Sequence, residues 1–416
     1  MKKAFSVIGI GAVCVLLASA VSAESGLLYG KIYTVDDEVL EGFIRWDKNE
    51  ASWVDVLDGD KELDRSRKSK HRDRYRRYDD DDDTEEISIF GVTVFRREGS
   101  RYIWDWSDQA ESGMRMGHIK TLIPDGDDEV LLELKSGEEV YLENGSGDIG
   151  DDIREILIDT EDEGIIELYW DDVEKIEFEK SPKRETKFGR RLYGTVVTDR
   201  GDEFTGFIGW DIDETYDTDI LDGHEKSRKR KIRFEKIGTI EKRSSSSAIL
   251  TLKGGKKMRL KGTNDVDSGN RGIEISDVTL GKIVVDWDDF DYLEFTDPPD
   301  GPGYDEFDGG RRIFGTVFTE DNEEFTGEIK WDDDEEFTWE FLDGEIGDVD
   351  FSIEFGNIKS IEKDSRRGST VTLKDGREFR LRDSNDIDDD NKGIIIYTGD
   401  EEVFIDWDNF ERLELK

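Results

Sequence analysis

The sequence predicts an all-β protein assembled from tandem repeats, and three observations predict it. Short runs such as GTVVT, EFTGFIGWD and KIRF are rich in β-branched and aromatic residues, with turn residues between them. Beyond the N-terminal segment, no stretch carries a helical period of useful length. The chain also matches itself. Residues 28–59, 192–223 and 313–344 align without gaps, and 16 of 32 positions are identical between the second and third copies.

Taken in order, the first element is a leader. Residues 1–23, MKKAFSVIGIGAVCVLLASAVSA, begin with Lys2 and Lys3, continue through an apolar run and end on Val21-Ser22-Ala23. This is the pattern of a signal peptide cleaved after Ala23. The run is short for a membrane span and no second one follows, so no membrane insertion is expected after cleavage. The expected location is the periplasm or, as a secreted protein, the cell exterior. Cys14 is the only cysteine, so the mature chain has no disulfide, thiol nucleophile or Cys-bound zinc.

The formal net charge is −46, and cleavage removes two lysines and no acid, which brings it to −48. Such a field repels phosphate backbones and excludes nucleic acid as a partner. It favours solubility and gathers cations around the protein. Of the two sources of such a charge, general solvation is preferred over dedicated divalent-ion sites.

Each repeat spans about 105 residues and contains two blocks. The first repeat covers 24–180, the second 191–296 and the third 311–416. A linker, 181–190, and a Pro/Gly-rich linker, 297–310, separate them, as expected where packed units end. Every block begins with an apolar run, a Gly-containing turn and a second run. Every block ends with three apolar residues at a spacing of three. Trp287, Phe290 and Leu293 are one such set; Phe234, Ile237 and Ile240 are another. That spacing suits one turn of 3₁₀-helix between the last two strands, because residues i and i+3 eclipse there.

Strand, 3₁₀ turn and strand closing a small barrel resembles the SH3-like and Sm-like barrels. The run V-x-T-x-x-G-x-x-F-T-G-x-I-x-W-D, residues 196–211, is similar in its Gly and Asp spacing to the first Sm motif. The resemblance covers about 30 residues per repeat and implies a fold only; no RNA function follows from it. Six barrels, paired into three repeats, are the expected arrangement, with one two-sheet β-sandwich per repeat as the alternative. The first repeat carries a charged insertion, 60–111, which opens with RSRKSKHRDRYRRY and DDDDD and then becomes strand-like; an extra hairpin is expected over Ile87–Trp106.

Catalysis finds little support. His71, His118 and His224 lie far apart, and no Ser/His/Asp set or nucleotide-binding glycine motif is visible. Two kinds of candidate binding residue remain. The loops NDVDSGN and NDIDDDN place oxygen ligands at alternate positions, as Ca²⁺ requires: Asn264, Asp265, Asp267 and Asn270, then Asn385, Asp386, Asp388, Asp390 and Asn391. The same residues also make Asx-rich turns, which is the preferred account. The second kind is a Trp-Asp pair in each repeat: Trp46/Asp47, Trp210/Asp211 and Trp331/Asp332. A Trp beside a carboxylate suits a sugar ring, while a strand-ending Trp before an Asp turn is again preferred. The function expected is a non-catalytic binding or scaffold role at the cell envelope, with an envelope protein or a polysaccharide as partner and Ca²⁺ as the candidate ion. The alternative is a carbohydrate-active or other hydrolase using Asp/Glu pairs between the barrels.

Overall fold

A computed structural model of the chain describes residues 25–62, 85–89, 92–98, 101–103, 109–143, 147–399 and 401–416. The leader expected at 1–23 and the charged runs of the insertion lie outside the described residues. All regular structure among the described residues is β-strand or a single turn of 3₁₀-helix, and the strands pair antiparallel into large sheets.

The second repeat shows how the strands are wired. Tyr193–Thr198 and Glu203–Trp210 form a hairpin around Gly201, whose φ of +88° needs glycine. Both outer edges of that hairpin are then taken by strands from the second block. Tyr193–Thr198 pairs with Phe290–Phe295, and Glu203–Trp210 pairs with Ile273–Asp277. The strand that closes the first block, Ile237–Ser244, goes instead to Ser247–Leu252, which opens the second block. The two closing strands also pair with each other, Ile240 opposite Leu293.

The third repeat uses the same order. Its strands run 401–405, 394–398, 324–331, 314–319, 410–415, 358–365, 368–373, 378–382, 341–346 and 349–354 across one sheet. The first repeat forms a ten-stranded sheet of corresponding order, from 164–168 through 29–34 to 109–115. Within its insertion, strands 85–89, 92–98 and 101–103 make a small antiparallel sheet.

The expected pairs of closed barrels do not form. A barrel closes when a unit's first strand bonds its own last strand, and here each half gives its last strand to the other half. Glycine permits the exchange. A Cβ on Gly194 would lie 2.4 Å from the carbonyl oxygen of Glu294, and one on Gly206 would lie 2.6 Å from that of Ser276. Both carbonyls belong to the strands that cross over.

The spacing of three does mark closing turns. Met116–His118, Trp170–Asp172, Phe234–Lys236, Phe355–Asn357 and Trp407–Asn409 are 3₁₀ turns. The sixth position is a turn in which Asp289 N–H donates to Asp286 C=O at 3.1 Å. Trp287, Phe290 and Leu293 are buried, so the apolar spacing faces the core.

Gly281–Val285 of the second repeat pairs with Val349–Glu354 of the third, which makes their sheets continuous. One apolar core accordingly runs from Leu192 to Leu413. The first repeat has a core of its own, completed by Phe207, Tyr304, Phe307 and Trp339 from beyond it.

Candidate functional site

Trp46, Trp210 and Trp331 end the second strand of each repeat and are fully buried. Each is followed by two residues at positive φ: Asp47 and Lys48, Asp211 and Ile212, Asp332 and Asp333. Asp tolerates that left-handed geometry; Ile212, β-branched at φ +70°, is strained by it. The loop then closes on itself. Trp210 N–H donates to Glu214 C=O at 2.9 Å and Glu214 N–H returns to Trp210 C=O at 3.0 Å, with the same exchange at Trp46/Glu50 and Trp331/Glu335.

The structure brings the two kinds of candidate residue together. The indole N–H of Trp210 donates to Asp265 C=O at 3.0 Å, and that of Trp331 to Asp386 C=O at 2.9 Å. The Asp211 carboxylate accepts the main-chain N–H of Arg271 at 2.7 Å and the side-chain amide of Asn264. Asp332 accepts Lys392 N–H and the Asn385 amide. In the first repeat, Trp46 donates to Asp148 C=O at 2.8 Å and Asp47 accepts Arg154 N–H at 2.5 Å. One internal knot per repeat thus uses the Trp-Asp pair and the acidic loop at once.

Within the loops, several polar atoms serve the chain itself. Asp265 accepts Asp222 N–H at 2.5 Å and Asp386 accepts Asp343 N–H at 2.7 Å. Asp267, Asn270, Asp388 and Asn391 each accept the N–H two residues on, which is the Asx turn. Asp390 is exposed. Among the described residues, no three His, Cys, Asp or Glu side chains are grouped so as to hold one metal ion.

Beside every knot lies a buried acid. The Oε2 atoms of Glu50, Glu214 and Glu335 are buried without a chain donor. Burial, and then the nearby Asp265, pushes the Glu214 carboxyl up to about 9. Burial also holds Glu50 and Glu335 well above the carboxylate range, with Asp148 and Asp334 adding to it respectively. At about 9, the Glu214 carboxyl is a neutral acid at neutral pH.

A second set of acids escapes the sequence reasoning. Asp55 accepts Ala51 and Ser52 N–H at 2.8 Å and pairs with Arg191 at 2.7 Å. Asp219 accepts Thr215 and Tyr216 N–H and pairs with Arg45. Glu340 accepts Glu336 and Phe337 N–H and pairs with Lys61. In each case an acid ties up its own loop and holds a cation from another repeat. The signal was present: the acid stands at the same offset from Trp46, Trp210 and Trp331 in all three copies.

Compared with known proteins, the chain matches no family model, no curated sequence and no solved structure.

Proposed function

We propose that this is an exported, acidic, non-catalytic protein of three tandem repeats that binds or scaffolds at the cell envelope. Each repeat is a pair of small SH3-like units that have exchanged strands. The observation that carries this is the continuous sheet of the second and third repeats, joined through Gly281–Val285 and Val349–Glu354. A ladder of that kind makes a stiff platform, and the charge of −48 left after cleavage keeps it apart from its copies and from anionic surfaces. Its partner is an envelope protein or a polysaccharide, and several weak contacts along the platform would add.

Fractionation of cells expressing the full chain, with mass spectrometry of the product, tests the export half of this. The expected product starts at Glu24 outside the cytoplasm. A cytoplasmic product that keeps residues 1–23 overturns it. Ca²⁺ at 264–270 and 385–391 is a second reading, favoured by the crowding of Asp388. Burial and then the neighbouring Asp390 and Asp389 raise its carboxyl to about 6. Melting in EDTA and in Ca²⁺ decides it, since a bound ion shifts the midpoint by several degrees.

A further inference from the structure

The ladder between the second and third repeats joins two strands that have fixed places in the repeat. The incoming strand, Gly281–Val285, lies just before the Trp287 turn, and the receiving strand, Val349–Glu354, lies just before the Phe355 turn. The second repeat has a receiving strand too. Arg228–Arg233 lies just before the Phe234 turn, and it pairs on one side with Ile220–Glu225 as Val349–Glu354 pairs with Phe341–Ile346. Its other side meets no strand among the described residues.

Exposure follows occupancy. Along 349–354 only Asp350 is exposed, whereas along 228–233 Arg228, Lys229, Lys231 and Arg233 are. A free edge of this kind presents a row of main-chain N–H and C=O groups to whatever arrives.

The charge of the edge is a second and independent observation. Five of its six residues are cations, while the receiving strand of the third repeat has Asp350, Glu354 and no cation. Lys229 and Arg230 are engaged by Asp222 and Glu225. Lys231 and Arg233 form no ion pair among the described residues. The basic surface continues inward: His224 N–H donates to Lys261 C=O at 2.9 Å, and the strand 257–260 beside it exposes Lys257 and Arg259. Edge lysines often serve to repel stray strands. That account fails here on sign, because in a chain of net charge −48 a guard against other copies would be acidic. The same net charge opposes docking of a whole second copy. What fits is a partner whose acids lie along one strand.

We propose that Arg228–Arg233 receives an extended acidic segment of an envelope protein, which adds to the sheet as an antiparallel strand, as Gly281–Val285 does in the third repeat. Main-chain hydrogen bonds supply the affinity, and carboxylates on alternate residues meet Lys231 and Arg233, which share one face. A polysaccharide satisfies the charges but has no row of amides to match the edge. The inference deepens the binding role proposed above and rests on it for the partner's location.

The test is calorimetric titration of the full chain with the synthetic peptide Glu-Val-Glu-Val-Glu-Val-Glu at physiological ionic strength, where loose pairing of exposed charges is screened. One saturable site per chain is expected. The same peptide with every main-chain nitrogen methylated keeps its charge but cannot complete the ladder, and is expected to bind roughly tenfold more weakly or worse. The double variant Lys231→Glu/Arg233→Glu is expected to lose affinity by a similar factor. The double variant Arg366→Glu/Arg367→Glu makes an equal charge change in an exposed turn of the third repeat and is expected to leave the affinity unchanged. Both variants alter exposed side chains and are expected to melt like the unaltered chain, so lost binding is not lost fold. No saturable site, or an equal loss in both variants, would overturn the proposal. Equal binding of the methylated peptide would overturn it in favour of a surface for polyanions. The fractionation result reports on export alone, so either proposal can fail without the other.

Discussion

The second and third repeats are joined through their backbones, whereas the first is held to both largely through its side chains. Between the second and third, five residue pairs run in register, Ile283 opposite Phe351 at the middle, and the apolar core is shared. Around the first repeat, Arg45 clamps Asp219 at 2.9 and 3.0 Å, Arg191 meets Asp55, and Lys61 meets Glu340. Trp53 adds an aromatic contact to Tyr304, ring centroids 4.6 Å apart. A ladder depends on the backbone and tolerates many side chains. A buried ion pair depends on both partners, and losing either strands the other. Similar sequences therefore support two junctions with different vulnerabilities.

The largest effect is expected at the ion-pair junction. Asp55→Ala leaves Arg191 buried without its partner and frees the N–H groups of Ala51 and Ser52. A loss of about 3–5 kcal/mol is expected in urea unfolding. A loss below about 1 kcal/mol would mean that apolar contact alone holds the first repeat. The ladder is probed by Gly281→Ala. A Cβ there would lie 2.0 Å from Ser352 C=O, and φ at this position is +155°. A loss of about 2 kcal/mol is expected, with the cost confined to the second and third repeats. Because their apolar core is continuous, those two repeats are expected still to melt together.

Per unit of pH, the smallest effect concerns protons. The Trp-Asp loops of the first two repeats meet across their junction, where Arg154 pairs with both Asp47 and Asp213. The neighbouring Glu214 has its carboxyl raised by burial from 4.5 to about 9. The folded state therefore binds a proton that the unfolded state releases. Stability from this group is full below the unfolded value and is lost as pH rises toward the folded one. The slope is about 1.4 kcal/mol per pH unit across that window. Glu214→Gln should flatten it, as read from urea midpoints at two pH values inside the window. An unchanged slope would place the pH dependence elsewhere.

The all-β class and the closing turns were legible in the sequence because both are local. The spacing of Trp287, Phe290 and Leu293 follows directly from one turn of backbone. The exchange of strands was not legible. Val196 pairs with Leu293 of the other half, but Ile240 of its own half holds the matching position with an equally apolar side chain. A pattern of apolar residues satisfies either partner, so it cannot say which strand arrives. The contacts among the candidate residues were not legible for a related reason. Trp210, Asp211 and Asp265 are each plausible ligand-binding types, and only the fold shows that Trp210 meets Asp265 and that Asp211 meets Asn264. Asp55, Asp219 and Glu340 were readable from their common offset, but their partners lie in other repeats and carry no local mark.

The exchange of strands also sets a timetable. A hairpin such as 193–210 leaves the ribosome with both edges open, and neither is sealed until Ile273–Asp277 and Phe290–Phe295 have been made. Half a repeat cannot shelter its own edges, so sealing them waits on the rest of the repeat, and assembly is slow by virtue of these distant pairings. Open strand edges invite the wrong neighbour. In that interval the dense negative charge acts as a guard, holding unfinished chains apart until each half has received its sibling's strands.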